Sequence, residues 1–417
     1  MTKKVKLELT LSVEEDTIID EFMVKRMLEE LGEVLSYDLS DFKEGNETSQ
    51  SNIQTPEVAI TQISEFINEA NKIYFGSLSI NNRKDVALAI LHISNLDKLE
   101  NDQLKQKWET PSKSLPVIFI GAGGIIRNAH IPSYKKLNLN LQGVYDVNME
   151  TAKSLANDFD IPKVYNSIDE TINNDGIVFD IAVPADKLLS IVKKLPNNSY
   201  ALLQKPMGSN LRDAKEILNV CRENNITAAL NFQLRFSPMM LCLKDAINKG
   251  LIGKVIDIDF HYSYYLPWHL WPFLEKLDRV EIPYNSIHYF DLIRSIFGMP
   301  EAVFAYSNSH PKYPNLSDSK TTAILKYSQD LRCALSLNHC YQFGEENQDA
   351  TVKVEGTEGV VYITLGSMLN YPNFEKDRFE IKTKNSDWEE IELTGNWFPD
   401  AFEGTMSNLQ RFIFKED

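Results

Sequence analysis

The 417-residue chain has few cysteines, few bases for its acids and no long apolar run. Its four cysteines, Cys221, Cys242, Cys333 and Cys340, show no C-x-x-C spacing. That argues against a disulfide framework or a zinc site and leaves free, buried thiols in a reducing compartment. There are 43 basic and 59 acidic residues, a net charge of −16. A nucleic-acid partner needs a basic face, so this balance argues against one. No run approaches the roughly 20 apolar residues of a membrane span. The opening MTKKVKLELTLSVEED is basic, but acids break it before any signal-like apolar core forms. The expectation is a cytoplasmic protein with no membrane, metal or nucleic-acid partner.

What is present is organised around residues 117–132, VIFIGAGGIIRNAHIP. Four apolar residues, 117–120, read as a buried parallel strand. Gly121, Gly123 and Gly124 follow at once, then a short helical run. Gly121 allows the tight turn and Gly123 lets backbone approach a pyrophosphate, which rests on free N–H groups at the helix start. The loop candidates are Gly121, Ala122, Gly123, Gly124, Ile125 and Ile126, the last where a third glycine is usual. Residues 142–145 read as a second strand. It ends at Asp146, about 20 residues past the glycines, where a carboxylate meets ribose hydroxyls and disfavours a 2′-phosphate. The expected cofactor is NAD, with NADP disfavoured.

The chain divides into three parts. Residues 1–110 read as a small, acidic α+β accessory domain whose partner the residues do not identify, and KWETPSKSLP reads as its linker. Residues 115–236 alternate strand and helix, which implies a doubly wound parallel sheet. Ligands bind such sheets at the carboxyl ends of the strands. Those ends carry Asp146, then Val183 and Pro184, then Gln204-Lys205-Pro206. Residues 237–417 open with a helix at 239–249, a long strand at 254–265 and a helix at 283–297. Seven strand candidates follow, with few helices between them. That pattern predicts an α+β domain with a large, mostly antiparallel sheet.

Lys205 precedes a proline at the end of an apolar strand, which constrains it more than a surface lysine. On the 283–297 helix, Ile287, Phe290, Ile293 and Phe297 are the expected core face. Tyr284, His288, Asp291 and Ser295 form a polar stripe at i, i+4, i+7 and i+11. With Lys205, His288 becomes a candidate acid/base pair for oxidising a carbinol.

GAGGIIRNAHIP, QKP, NFQLRFSP, SIHYFD and GTEGVVYI together resemble the Gfo/Idh/MocA oxidoreductases, over residues 115–410. The resemblance implies a Rossmann-type nucleotide domain and NAD(P)-linked chemistry at a sugar or cyclitol hydroxyl. It also implies homo-oligomers built through the antiparallel sheet. It maps the catalytic lysine of the family's E-K-P motif onto Lys205, with Gln204 in the Glu position. It maps D-x-G-x-H onto residues 284–288, keeping His288 and placing Tyr284 where the Asp stands. The expected roles are Lys205 on the reacting oxygen and His288 or Tyr284 exchanging its proton. Arg235, Trp268, His269, Trp271 and Asn285 are candidates for the substrate wall, although the tryptophans could equally be interface core. Two alternatives stand beside the dehydrogenase. One is a non-catalytic NAD-binding or sensory protein; the other is an NAD-dependent glycoside-cleaving enzyme. The chain stops at Asp417, where the family adds a segment that packs back on the body; a shortened domain and a truncated chain both fit.

Overall fold

The computed structural model describes residues 104–416, which lie within one compact unit, Lys98–Asp417. The expected accessory domain before residue 104 lies outside the described residues.

Five short strands form the first sheet. They are β1 (Val117–Ile120), β2 (Leu141–Tyr145), β3 (Val178–Ile181), β4 (Tyr200–Leu203) and β5 (Thr227–Leu230). All pairs are parallel, in the order β2-β1-β3-β4-β5. A single parallel bridge, Val144 to Val164, extends the sheet past β2. β1 and β3 are buried at every residue. Helices cover both faces, which is why these strands read as apolar runs, broken only by Asp180 in β3. Strand order reverses between β1 and β3, so a crevice opens at their carboxyl ends.

A π-helical turn, Ile126–His130, leads into α1 (Ile131–Lys136). The other covering helices are α2 (Met149–Phe159), α3 (Ile168–Ile172), α4 (Ala185–Val192) and α5 (Leu211–Glu223). Asn148 caps α2 by accepting from Glu150 N and Thr151 N, and Asn210 caps α5 by accepting from Asp213 N.

The second lobe opens with α6 (Pro238–Asn248) and β6 (Val255–Ser263), and includes α7 (Ile287–Phe297). Then come β7 (Ala302–Asn308), β8 (Lys320–Lys326), β9 (Arg332–Asn338) and β10 (Asp349–Gly356). β11 (Gly359–Thr364), β12 (Arg378–Thr383) and β13 (Glu389–Ile391) complete an eight-stranded sheet, β13-β12-β11-β10-β6-β9-β8-β7. Only the β6–β9 pair is parallel, so the mostly antiparallel expectation holds. One face packs on α6 and α7 through Phe260, Leu335 and Val352 against Met240, Tyr289 and Leu292. Along β8 burial alternates, as a sheet with one covered face requires.

Three features depart from the sequence reading. The helix expected over residues 283–297 is a π-helical turn, Ile282–Ser286, followed by α7. A π turn holds an extra residue and shifts the phase of all that follows. Within α7 the buried residues are His288, Tyr289, Asp291, Leu292 and Ile293, so of the expected core face only Ile293 is buried and Ile287, Phe290 and Phe297 are half-buried. The second is α8 (Ala401–Ile413), whose Met406 and Leu409 join the nucleotide-lobe core with Ile126 and Tyr134. Its buried Gln410 accepts from Leu115 N at 2.9 Å and donates to Leu115 O at 3.0 Å. The third is the stretch around the start of the expected linker, residues 104–108. Leu104 enters the second core, and Trp108 meets Phe236 edge-on at 5.0 Å. Gln106 donates to Glu392 O and accepts from Thr394 N.

Candidate active site

The glycine loop follows β1. Gly121 has φ +105°, and a Cβ there would stand 2.2 Å from Ala182 O. Only glycine fits that conformation and that approach. Gly123 is different, because a Cβ there would meet nothing within 4 Å. Nothing inside the protein explains its missing side chain, and it is exposed at the helix start. An open glycine beside free helix N–H groups fits a bound pyrophosphate. Asp146 ends β2 and accepts from Ala122 N and Asn148 N, each at 2.8 Å. Each oxygen keeps a lone pair for a ribose hydroxyl. Arg127 is occupied by Asp158 and Ser154. These residues fit NAD. Ile125 is half-buried, and Ile126 is fully buried in the core, filling the place of a third glycine. Val183 and Pro184 follow β3, with Pro184 capping α4.

Lys205 lies just past the end of β4. Its ammonium is withdrawn from water, and burial pulls its pKa down to about 8. It donates to the backbone carbonyl of Tyr284, on the π-helical turn of the other lobe. An ammonium has three donors, so two remain. His288, at the start of α7, is 4% exposed and stands between Phe232 and Trp397. Burial, then the Lys205 charge, holds its pKa well below the ordinary histidine value, so the ring is neutral. Its Nδ1 has no hydrogen-bond partner, and neither has the buried Nδ2 of Asn285. Such orphans are rare unless a ligand or water serves them. Lys205, His288 and the Tyr284 carbonyl thus meet in one place, with Asn285 next in the chain to Tyr284.

Tyr284 meets Lys205 through its carbonyl, not its hydroxyl. Its ring packs against Phe273 at 5.9 Å, and burial and the Asp186 charge raise its pKa. Arg235 is held by both carboxylate oxygens of Asp291, so this part of the expected polar stripe is an internal ion pair. Trp268 is 4% exposed, donates to His339 O at 3.1 Å and packs with Leu274 and Val280, which makes it core. His269 is exposed, as are Leu270, Trp271 and Phe273. Gln204 turns inward, its Oε1 accepting from Lys205 N at 2.8 Å and its Nε2 3.3 Å from His130 Nε2.

Two buried clusters escaped the sequence reading. His130, Asp180 and Asn231 are fully buried beneath the loop. Their signal was the lone charge inside the apolar run VFDIAV. Glu281, Ser286 and His339 are fully buried beside the π-helical turn. Among the described residues no cluster could hold a metal ion, and all four cysteines are buried and free.

A parallel nucleotide sheet, a bare glycine loop and a buried lysine at the lobe junction define a two-lobed, dinucleotide-linked oxidoreductase. Residues 115–232 match the oxidoreductase family with an NAD-binding Rossmann fold, and residues 240–362 match the GFO/IDH/MocA C-terminal domain. The chain belongs to the Gfo/Idh/MocA family of oxidoreductases, and its cofactor is NAD. An uncharacterized protein of Saccharomyces cerevisiae, YMR315W, is 26% identical over 272 residues, covering 60% of this chain and 74% of that one. Glucose-6-phosphate 3-dehydrogenase of Bacillus subtilis is 28% identical over 146 residues, 34% of this chain and 41% of that one. An Agrobacterium radiobacter oxidoreductase, crystallised with NAD+, L-tartaric acid and magnesium, shares the fold. Its TM-score is 0.60 at 19% identity, covering 73% of this chain and 89% of that one. No helix among the described residues is long and apolar enough to cross a membrane.

Proposed function

We propose that this enzyme oxidises, or in reverse forms, a secondary hydroxyl of a sugar, sugar derivative or cyclitol. The observation that carries the reading is the buried Lys205 ammonium beside neutral His288, with orphaned polar atoms on His288 and Asn285. A polyol offers several hydroxyls at close spacing, which suits several convergent donors and acceptors. The B. subtilis relative named for glucose 6-phosphate points the same way.

Bound NAD supplies the hydride acceptor. Lys205 approaches the reacting oxygen. Its pKa of about 8 makes its neutral amine a usable base near physiological pH. As the carbinol C–H is lost as hydride, the O–H proton passes to the Lys205 amine. The resulting ammonium stabilises any alkoxide character. His288, whose charged form is disfavoured, orients the hydroxyl through Nδ1 rather than storing its proton. This inverts the roles expected from the motifs alone, and burial is the cause. Asn285 Nδ2 holds a neighbouring hydroxyl. Tyr284 acts through its carbonyl, and Trp271 and His269 border the opening.

Phe304 and Tyr306 on β7 and Ile324 on β8, opposite Phe304, share one face and are 68%, 66% and 49% exposed. We read this apolar face as covered by a second copy of the chain. The buried free thiols agree with a cytoplasmic setting.

The test is NADH formation over a panel of sugars and cyclitols across pH. Turnover should rise with pH through about 8, be lost in Lys205→Ala, and be faster with NAD than with NADP. A sugar ketone should accumulate; release of an aglycone would favour the glycoside-cleaving alternative. A profile with no limb near that value, or full turnover in Lys205→Ala, sinks the scheme.

A further inference from the structure

We propose that His130 and Gln204 are positioning residues for Lys205, acting through a buried relay whose proton placement is set by the Gln204 amide. The proposal rests on the reading of Lys205 as the reacting base.

The relay is built from fixed points. The Gln204 main chain extends β4, its N–H donating to Ile181 O at 2.9 Å. Its Oε1 accepts from Lys205 N at 2.8 Å. A backbone N–H can only donate, so the amide orientation follows from chemistry rather than choice. Nε2 must then face His130 Nε2, at 3.3 Å. Asn231 Nδ2 approaches the same ring nitrogen at 3.2 Å. Two amide donors on one nitrogen require a lone pair there. The ring proton therefore sits on Nδ1, 2.7 Å from Asp180 Oδ2. The Tyr134 hydroxyl donates to that same oxygen at 2.7 Å. His130, Asp180 and Asn231 have no solvent exposure, and Phe402 of α8 covers the ring at 5.0 Å.

The chain of bonds runs Tyr134, Asp180, His130, Gln204, then the backbone of Lys205. It fixes the root of the lysine side chain, whose far end reaches Tyr284 O. A glutamate at 204 would still accept from Lys205 N, but it would present an acceptor to His130 Nε2. The ring would then take a second proton to donate. The Gln204 amide is thus what leaves Nε2 a bare acceptor, with the ring proton on Nδ1 against Asp180.

Long-range proton–nitrogen spectra of the full chain, labelled at histidine, test the relay, with His130→Gln assigning the signal. At neutral pH one histidine should show a protonated Nδ1 and a bare Nε2, and Gln204→Glu should protonate both. In steady-state kinetics Gln204→Leu should lower kcat about tenfold to a hundredfold, with NAD affinity little changed. Gln204→Glu, which keeps the Lys205 acceptor, should recover most of that loss. A wild-type His130 protonated on Nε2 would overturn the proton assignment. Equal kcat in wild type and Gln204→Leu would overturn the positioning role. Full turnover in Lys205→Ala would instead remove the catalytic reading while leaving the spectra as expected.

Discussion

His130 and His288 are both buried; His288 feels the Lys205 charge, His130 meets Gln204 next to Lys205, and their surroundings are opposite. Both ring nitrogens of His130 are engaged, by Asp180 on one side and by Gln204 and Asn231 on the other. His288 has an orphaned Nδ1, an apolar cage of Phe232 and Trp397, and a cation for a neighbour. A buried ring bonded at both nitrogens is held in place, even though Asp180 Oδ1 and Asn231 Oδ1 beside it have no partner, whereas an unbonded ring nitrogen costs stability unless something arrives to complete it. The nucleotide lobe holds its histidine as structure. The other lobe holds one ready for a ligand.

The contrast breaks most sharply under substitution. His288→Ala should lower kcat by about a hundredfold or more, with a stability loss smaller than at His130, since it comes from the cavity left between Phe232 and Trp397 and no intramolecular hydrogen bond at Nδ1 is lost. His130→Ala should destabilise the fold by about 3–5 kcal/mol, since Asp180 loses its partner in a dry interior. Chemical denaturation beside steady-state kinetics separates the two. A His288→Ala protein that is strongly destabilised yet turns over normally would erase the distinction.

The glycine loop repeats the same contrast on a smaller scale. Gly121 is closed on Ala182, while Gly123 opens on space. Gly121→Ala should cost about 2–4 kcal/mol of stability, from a left-handed conformation and backbone overlap. Gly123→Ala should change stability by less than about 0.5 kcal/mol and still weaken NAD binding about tenfold, roughly 1.4 kcal/mol. Thermal melts and cofactor titration measure both. Unchanged NAD affinity in Gly123→Ala would mean that the open space is not where the pyrophosphate rests.

Much of this was legible from residue order, for physical reasons. β1 and β3 are buried at every residue, so the runs of β1 to β4 are mainly apolar, broken only by Gln142 and Asp180, and the glycines mark the turn after the first. Lys205 stood out because a lysine rarely ends such a strand. The rest depended on tertiary geometry. A π turn leaves no periodic mark, so the break between Tyr284 and His288 at residues 282–286 could not be read from spacing. The Arg235–Asp291 pair and the His130 network join residues 56 and 50 to 101 positions apart. Spacing along one element cannot reveal such partners. Trp268, read as pocket or core, is core because its indole N–H found a carbonyl inside.

The smallest expected effect concerns Glu281, which shares with His288 the condition of a buried group left incomplete. Ser286 donates to its Oε1, its Oε2 has no partner, and His339 Nδ1 is 3.8 Å away with both ring nitrogens unsatisfied. Burial raises the Glu281 carboxyl from 4.5 to about 8, against a small opposing hydrogen bond from Thr321, and lowers His339 from 6.5 to about 3. The charged form of Glu281 would also face Tyr264, Tyr289 and Cys340. An acid whose folded pKa is raised contributes stability below its unfolded value and loses it as pH climbs through the folded value. For Glu281 the loss spans about 4.5 to about 8. Histidines kept neutral have the reverse slope, and theirs ends near 6.5. Lys205, lowered from 10.5 to about 8, adds stability with rising pH only above about 8. Between about 6.5 and 8 the Glu281 slope therefore stands alone among these groups. The melting temperature should fall across that window in the wild type and stay nearly level in Glu281→Gln, which keeps an acceptor for Ser286 without the titration. Parallel curves for the two proteins would show that Glu281 is already ionised in the folded state, and that its cluster is complete in a way the orphaned Nδ1 of His288 is not.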